Sequence, residues 1–190
     1  MRLFLAIHLT PELKNVLAEQ QAELKRKITG VKWVEPENIH LTIKFLGEIA
    51  KENLPYLITK FKGAAGKFKP FDLKVKGMGA FPTLARARII WAGIAQPWPV
   101  SLLALQAGLE QVLLEKQFCT LDKNFYPHLT LGRVKKSSGG LNCSGFLSST
   151  ADKVFGTSRV DAFYLMQSVL HQTGPCYTVV QRFPLNLENN

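Results

Sequence analysis

The stretch IHLTIKFLG, residues 39–47, returns in nearly the same form as YPHLTLGRV, residues 126–134. Each copy contains a histidine followed by leucine, threonine and an aliphatic residue. The chain has only four histidines in 190 residues, and two of them, His40 and His128, begin the same tetrapeptide. We interpret the two copies as the two halves of one active site.

Both tetrapeptides have the alternation of a β-strand, in which residues i and i+2 face the same side. One face of each strand presents a histidine and a threonine, and the other presents two aliphatic side chains. The first copy consists of His40, Thr42, Leu41 and Ile43, and the second of His128, Thr130, Leu129 and Leu131. If the two strands are neighbours, two imidazoles and two hydroxyls converge on one cleft.

This set of side chains suits phosphoryl chemistry without a metal. An imidazole has a pKa near 6.5, so one can accept a proton from water while its twin donates a proton to the leaving oxygen. The hydroxyls of Thr42 and Thr130 can donate hydrogen bonds to the non-bridging phosphate oxygens. The residues alone leave open which histidine is the acid and which is the base.

Further residues near the tetrapeptides are candidates for binding substrate. Lys44 occupies the next same-face position after Thr42 if the strand stays regular. Arg133 has the wrong parity relative to His128, so it reaches the cleft only through a bulge or at the strand end. Tyr126 is a candidate for stacking on a base, whereas Phe45 shares the inward parity of Ile43.

The remaining histidines and the cysteines suggest no second site. His8 ends an apolar strand and is interpreted as structural, and His171 falls in a predicted turn. Cys119, Cys143 and Cys176 are odd in number and lack metal-ligand spacing, which favours free thiols over disulfides or zinc. We expect neither a metal nor another cofactor.

Composition indicates a folded protein with an anionic partner. Hydrophobic residues make up 46% and charged residues 20%, and the formal net charge is +10. A basic surface attracts polyanions, and RNA or DNA is the natural candidate. No apolar run approaches the ~18 residues of a membrane span, and the run from Leu3 to Ile7 is too short for a signal peptide. These features predict a cytoplasmic protein with no membrane association.

Periodicity along the chain predicts an α+β fold with mostly antiparallel strands. Pro11 begins a helix to about Lys27 after Thr10, a plausible N-cap. Further helices are predicted over 52–68 and 100–118, with strands at 2–9, 31–34, 39–47, 71–81, 87–94, 128–134, 158–170 and 176–185. The last two form a hairpin through residues 171–175, and the Gly- and Ser-rich residues 135–150 are expected to form a loop.

The paired motifs HLTI and HLTL resemble the HxTx signatures of the 2H phosphoesterase superfamily. Their surroundings are similar to those of the RNA 2′,3′-cyclic phosphodiesterases, also called 2′-5′ RNA ligases. The matching stretches are MRLFLAI, VKWVEPENIHLTIKFLGE, GAFPTLARARIIWAGI, YPHLTLGRV and LMQSVLHQTGPCYTVVQRF. Because they extend over nearly the whole chain, the resemblance concerns the domain and not the motifs alone.

The resemblance implies one bilobal, pseudo-symmetric domain over residues 1–190, with a motif in each lobe (40–43 and 128–131), helices on the outer faces and a central cleft. It implies hydrolysis of 2′,3′-cyclic phosphates on RNA ends or cyclic nucleotides, leaving a 2′-phosphate. His40 would then be the proton donor and His128 the acceptor. We expect a monomer, since one chain contains both half-sites.

Two alternatives stay open from the sequence. The same histidines could catalyse the reverse reaction, which joins a 2′,3′-cyclic end to a 5′-hydroxyl through a 2′-5′ bond. A protein of this fold could also be a non-catalytic RNA- or nucleotide-binding module. The presence of all four motif residues, His40, Thr42, His128 and Thr130, favours catalysis.

Overall fold

A computed structural model describes residues 1–115, 118, 125–135, 139–171 and 174–186. Within these ranges the helices are α1 (Pro11–Lys27), α2 (Leu54–Ala65), α3 (Val100–Leu114) and α4 (Ser144–Leu147). The strands are β1 (Arg2–His8), β2 (Val31–Trp33), β3 (His40–Glu48), β4 (Phe71–Phe81), β5 (Ile89–Ile94), β6 (His128–Val134), β7 (Val154–Val160), β8 (Ala162–His171) and β9 (Gly174–Pro184). Short 3₁₀ turns cover Pro36–Asn38, Lys51–Asn53, Leu84–Arg86 and Ser148–Thr150.

Helix α1 forms as its sequence predicts. Pro11 takes the first helical position, where its missing N–H costs no hydrogen bond. Thr10 is the N-cap residue, but its side chain makes no capping hydrogen bond. The last turn is basic, which complements the negative end of the helix dipole. Leu13, Leu17 and Leu24 bury one face of the helix against the sheet.

The strands described form one sheet in the order β7-β4-β5-β6-β3-β1-β8-β9. The short strand β2 pairs with residues 132–134 of β6. All the pairings are antiparallel. Strands β3 and β6 meet at one registered pair, Leu41 opposite Leu129. This narrow seam joins a group of four strands containing the first motif to a group containing the second.

Helices and one continuous core support the sheet. α1 contacts β7, α2 contacts β9 and α3 contacts β3. A single apolar cluster runs beneath both motif strands and includes Leu41, Ile43, Leu129 and Leu131. The predicted α+β, mostly antiparallel fold is confirmed. The division of residues 1–190 into two lobes of one domain stays a prediction.

Several boundaries differ from those predicted. The stretch predicted as one strand from 158 to 170 is divided at Asp161 between β7 and β8, because β7 pairs with β4 while β8 pairs with β1 and β9. Within 135–150, residues 136–138 lie outside the described part, and the remainder includes α4 and a 3₁₀ turn as well as loop. The pairing of β8 with β9 confirms the predicted hairpin, and residues 172 and 173 lie outside the described part. No helix among the described residues is long and apolar enough to span a bilayer.

Candidate active site

The seam between β3 and β6 brings the two motifs together. Leu41 and Leu129 lie opposite each other with both side chains buried. Continuing the antiparallel register by one residue each way places His40 beside Thr130 and Thr42 beside His128. The two histidines are therefore diagonal neighbours, a relation that separates side chains by about 7–8 Å. A phosphate group fits between imidazoles at that spacing.

The two imidazoles are held in the same way. Nδ1 of His40 lies 2.7 Å from the carbonyl oxygen of Asn38, and Nδ1 of His128 lies 2.8 Å from that of Tyr126. Since a carbonyl only accepts, each Nδ1 carries the hydrogen and donates it. In the neutral ring Nε2 is then unprotonated and free to exchange a proton with substrate or water. The repeated contact two residues upstream is a structural counterpart of the repeated tetrapeptide.

Both histidines are less basic than a free imidazole. Burial is the main cause that lowers the pKa of His40 to about 4, and the charges of His8, Lys14 and Arg133 lower it further. Burial and then Arg133 lower the pKa of His128, against an opposing contribution from the Tyr126 carbonyl. Both rings are therefore neutral at pH 7 in the free protein. The positive charge of Arg133 therefore contributes to lowering the pKa of both histidines.

Aromatic side chains pack against the rings of both histidines. The ring of His40 stacks on buried Phe4 at 5.1 Å and meets the edge of Tyr177 at 5.4 Å. The ring of His128 meets Phe81 edge-on at 5.0 Å. Such packing restricts the rotamers of both imidazoles and excludes water from one side of each.

Tyr126 belongs to the aromatic group beside His128. Its ring is 42% exposed and contacts Phe81, Trp91 and Trp98 at 5.4–5.7 Å. Its carbonyl oxygen accepts the hydrogen bond from His128. Stacking of Tyr126 on a base stays a prediction.

A register shift in β6 turns Arg133 toward the motif face. Thr130 lies opposite Trp91, but Gly132 lies opposite Ile90, so β6 holds one more residue than β5 at Leu131, as in a β-bulge. Leu131 and Gly132 are both buried. The bulge therefore places the exposed Arg133 on the same face as His128 and Thr130. Without the bulge, Arg133 would face the opposite side of the strand.

The same shift in β3 overturns the expectation for Lys44. Ala6 lies opposite Thr42 and Leu5 opposite Lys44, so Ile43 is the additional residue. Lys44 consequently faces the core, where it is 4% exposed and its Nζ lies 2.6 Å from Glu110 Oε1 on α3. Phe45, predicted to point inward, is instead 68% exposed on the motif face. Lys44 thus stabilises the strand and does not line the cleft.

Gln21 and Gly132 support the second motif, and sequence reasoning missed both. Gln21, buried on α1, donates 2.8 Å hydrogen bonds from Nε2 to the carbonyl oxygens of Val34 and Leu131. A Cβ on Gly132 would lie 2.6 Å from Val31 Cγ1, so β2 packs over the bulge only because this residue is glycine. The glycine inside HLTLGRV was the one signal available, since glycine within a strand marks a bulge or a close approach.

Thr42 and Thr130 are half-buried on the motif face, where their hydroxyls can reach a ligand between the histidines. His8 lies opposite His40 in the β1–β3 register and stacks on Tyr164 at 4.0 Å. His171 lies at the end of β8, and nothing is described of its side chain. Cys143 and Cys176 are free thiols, and Cys119 lies outside the described residues.

No group of three or more His, Cys, Asp or Glu side chains that could hold a metal occurs in the described part of the chain. A groove of about 630 Å³ lies between α2 and the end of β9, lined by Ile58, Lys62 and Phe183 among others. None of the motif residues lines this groove. The histidines, the threonines and Arg133 at the seam stay the candidates for acting on a ligand.

Comparison with known proteins finds a consistent set of relatives. The model of the family LigT like Phosphoesterase matches residues 7–91. An RNA 2′,3′-cyclic phosphodiesterase of Methanothermobacter thermautotrophicus is 31% identical over 97% of this chain and 99% of that protein. One of Archaeoglobus fulgidus is 33% identical over 96% and 99%.

Solved structures agree with these relatives. A Thermus thermophilus protein matches with a TM-score of 0.84 and 32% identity over 100% of both chains. Escherichia coli LigT complexed with 3′-AMP matches with a TM-score of 0.76 and 26% identity over 97% of both chains. The similarity covers both motif strands and the whole sheet.

Proposed function

The chain belongs to the LigT-like phosphoesterase family, and from this membership and the geometry at the seam we propose that it is an RNA 2′,3′-cyclic phosphodiesterase. Relatives with that name match nearly its full length. The observation that carries the mechanism is the matched pair of imidazoles, each with Nδ1 bound to a carbonyl and Nε2 free. Such a pair can perform acid and base steps on a phosphate held between them.

In the proposed reaction, Nε2 of His128 takes a proton from water. The water oxygen forms a bond to phosphorus while the bond from phosphorus to the ribose 3′-oxygen breaks. Nε2 of His40 donates its proton to that departing oxygen, and the phosphate stays on the 2′-oxygen. The neutral state of His128 at pH 7 suits a base.

His40 must acquire its proton when substrate binds. Its pKa of about 4 in the free protein reflects burial and nearby positive charge. A phosphate anion placed beside the ring favours the charged imidazolium and raises the pKa. A ring with a low pKa is also a strong donor once it is protonated. Binding of the phosphate anion therefore favours the protonated form of His40, which acts as the acid.

The remaining site residues hold the phosphate. The hydroxyls of Thr42 and Thr130 donate to the non-bridging oxygens from the two sides of the seam, and Arg133 adds a charge-assisted hydrogen bond. These contacts strengthen as negative charge gathers on those oxygens in the transition state. No step in this scheme requires a metal.

The experiment is hydrolysis of a nucleoside 2′,3′-cyclic phosphate in EDTA, with the product isomer identified by phosphorus NMR. A 2′-phosphate, lost in His40→Asn and in His128→Asn, supports the mechanism. A 3′-phosphate would reverse the assignment of the leaving oxygen. Retention of RNA binding with no turnover of mononucleotide or RNA would favour a non-catalytic binding module.

A sulfur leaving group separates the roles of the two histidines. Replacing the 3′-oxygen of the cyclic phosphate by sulfur makes protonation of the leaving group unnecessary. His40→Asn should then regain most of its lost rate on the thio substrate, while His128→Asn should not. Rescue of His128→Asn alone would exchange the roles of acid and base.

Ligation follows from the same scheme. With a 5′-hydroxyl in place of water, His128 would take the proton of that hydroxyl, the 5′-oxygen would bond to phosphorus, and His40 would again protonate the departing 3′-oxygen, leaving a 2′-5′ bond. Incubation of a cyclic-ended and a 5′-hydroxyl oligonucleotide at high concentration tests this ligation. An RNA substrate favours a cytoplasmic location, and two half-sites in one chain favour a monomer, which sedimentation can check.

A further inference from the structure

We propose that the motif-side surface of β1, β8 and β9 binds the nucleotides that precede the cyclic end of an RNA strand. The surface consists of His8, Tyr164 and Arg182, with Lys14 beside it, and we call it the upstream subsite. This inference rests on the proposed function and specifies its substrate as an RNA strand longer than one nucleotide.

Register places these side chains in a row that starts at the first motif. His8 lies opposite His40, and Ala6, two residues away on the same face of β1, lies opposite Tyr164. Tyr164 in turn lies opposite Arg182. The row crosses three strand intervals, about 14 Å at the usual spacing of ~4.8 Å. It therefore extends well beyond the length of one phosphate group.

Side-chain contacts make the row continuous. The rings of His8 and Tyr164 are parallel within 9° at a centroid distance of 4.0 Å. Arg182 Nε donates to the Tyr164 hydroxyl at 3.3 Å, and the Arg182 guanidinium also contacts Asp161 at 3.1 Å. The arginine side chain is 46% exposed. A stacked aromatic pair next to an exposed guanidinium is a surface that binds single-stranded RNA.

Local charge is also favourable. The positive charge of Lys14 reaches both His8 and His40, since it contributes to lowering the pKa of each. Its Nζ donates to the Glu37 carbonyl oxygen at 2.7 Å, which holds the ammonium at this end of the row. Lys14 and Arg182 thus mark the two ends of the surface with cations that can meet phosphates.

The chemistry of the reaction selects this side of the cleft. The attacking water and the departing 3′-oxygen lie on opposite sides of the phosphorus. If His40 protonates the 3′-oxygen, the ribose lies on the His40 side and the water enters beside His128. The rest of the RNA is attached to that ribose, so it leaves the cleft across β1, β8 and β9.

The test compares a cytidine 2′,3′-cyclic phosphate with a tetranucleotide that has the same cyclic end. In Arg182→Met and in Tyr164→Leu, the ratio of kcat/KM for tetranucleotide to mononucleotide should fall about tenfold, as expected from loss of a phosphate contact or a stacked base. Tyr164→Phe, which keeps the ring, should retain most of the ratio. Arg159→Met is the matched control, because Arg159 on β7 forms a similar exposed pair with Asp72 on β4.

Substitution of Lys32 tests whether the RNA leaves the cleft on the opposite side. It lies opposite Arg133 in the β2–β6 register, on the His128 side. If Lys32→Met lowers the tetranucleotide ratio and Arg182→Met does not, the RNA leaves by that side and the inference is overturned. Equal losses on both substrates in Arg182→Met would also overturn it.

Binding distinguishes this inference from the proposed function. Fluorescence anisotropy of a labelled tetranucleotide ending in a 2′-phosphate measures the subsite without turnover. Arg182→Met should weaken binding about tenfold and reduce the slope of log K against log salt by about one. If Arg182→Met weakens binding but the wild type hydrolyses no cyclic phosphate, the result supports the subsite and rejects the phosphodiesterase function. Unchanged binding would reject the subsite.

Discussion

The strands β3 and β6 carry the same tetrapeptide and share four features. Each begins with the histidine, binds Nδ1 to the carbonyl oxygen two residues upstream, buries its aliphatic residues and gains one residue directly after the threonine. They differ in the two residues that follow, which are Lys44 and Phe45 in β3 but Gly132 and Arg133 in β6. Similar backbones therefore present different chemistry at equivalent positions.

The difference divides the tasks between the strands. In β3 the fifth residue forms a buried ion pair and the sixth presents an exposed phenyl ring. In β6 the fifth residue is a glycine beneath β2 and the sixth presents a guanidinium. Strand β3 is held by a buried ion pair and presents an apolar side chain on the motif face. Strand β6 is held by close packing and presents a cationic side chain there. A symmetric repeat thus produces an asymmetric site, as an acid and a base require.

The largest expected effects come from the histidines themselves. His40→Asn and His128→Asn should each lower kcat for cyclic phosphate hydrolysis by about 10²- to 10⁴-fold, since each removes one proton transfer. His128→Asn should abolish the loss of rate at low pH, and His40→Asn the loss at high pH. Steady-state kinetics from pH 4 to 9 checks both. If both variants lost the same limb, the division into acid and base would be wrong.

Lys44→Met should destabilise the fold by about 3–5 kcal/mol, because it leaves the Glu110 carboxylate buried without its ammonium. Urea unfolding measures the loss. The double variant Lys44→Met/Glu110→Leu should recover most of it. Lys60→Met is the matched control, since Lys60 and Glu115 pair at the same 2.6 Å but are 42% and 48% exposed. Its substitution should leave the stability almost unchanged, because the pair is exposed to solvent, and equal losses would contradict the anchoring role of Lys44.

Arg133→Met should lower kcat/KM by about 10²- to 10³-fold through loss of a donor to the phosphate. It should also move the pH profile. Arg133 lowers the pKa of both His40 and His128, so its removal raises both. The wild-type kcat/KM should peak below pH 6.5, because His128 must be neutral and His40 charged. Both limbs should shift to higher pH in the variant, and an unchanged profile would contradict this placement.

Gln21→Met should have the smallest effect, a loss of stability of about 2 kcal/mol from two hydrogen bonds. Gln21 holds the Leu131 carbonyl and could position Arg133 in this way. In that case the effect of Gln21→Met on kcat/KM should largely vanish in the Arg133→Met background. Gln20→Met is the control, since Gln20 is also buried on α1 but bonds to Glu23 and Lys153. Additive effects of Gln21→Met and Arg133→Met on kcat/KM would exclude the positioning role.

The local pattern of the sequence determined much of this protein. Alternation of polar and apolar residues predicted β3 and β6 and the faces of these strands on which His40 and His128 lie. Proline and helical periodicity predicted α1 at its observed bounds. These features depend on residues within a few positions of one another, so the sequence displays them directly.

Tertiary structure alone decided which residues accompany the histidines. The direction of Lys44, Phe45 and Arg133 depends on additional residues at Ile43 and Leu131, which exist only relative to the registers of β1 and β5. Glu110 and Gln21, which support the two strands, come from helices distant in the chain. A one-residue shift reverses the face of every following side chain. Parity counted along a single strand therefore holds up to the threonine and is wrong beyond it.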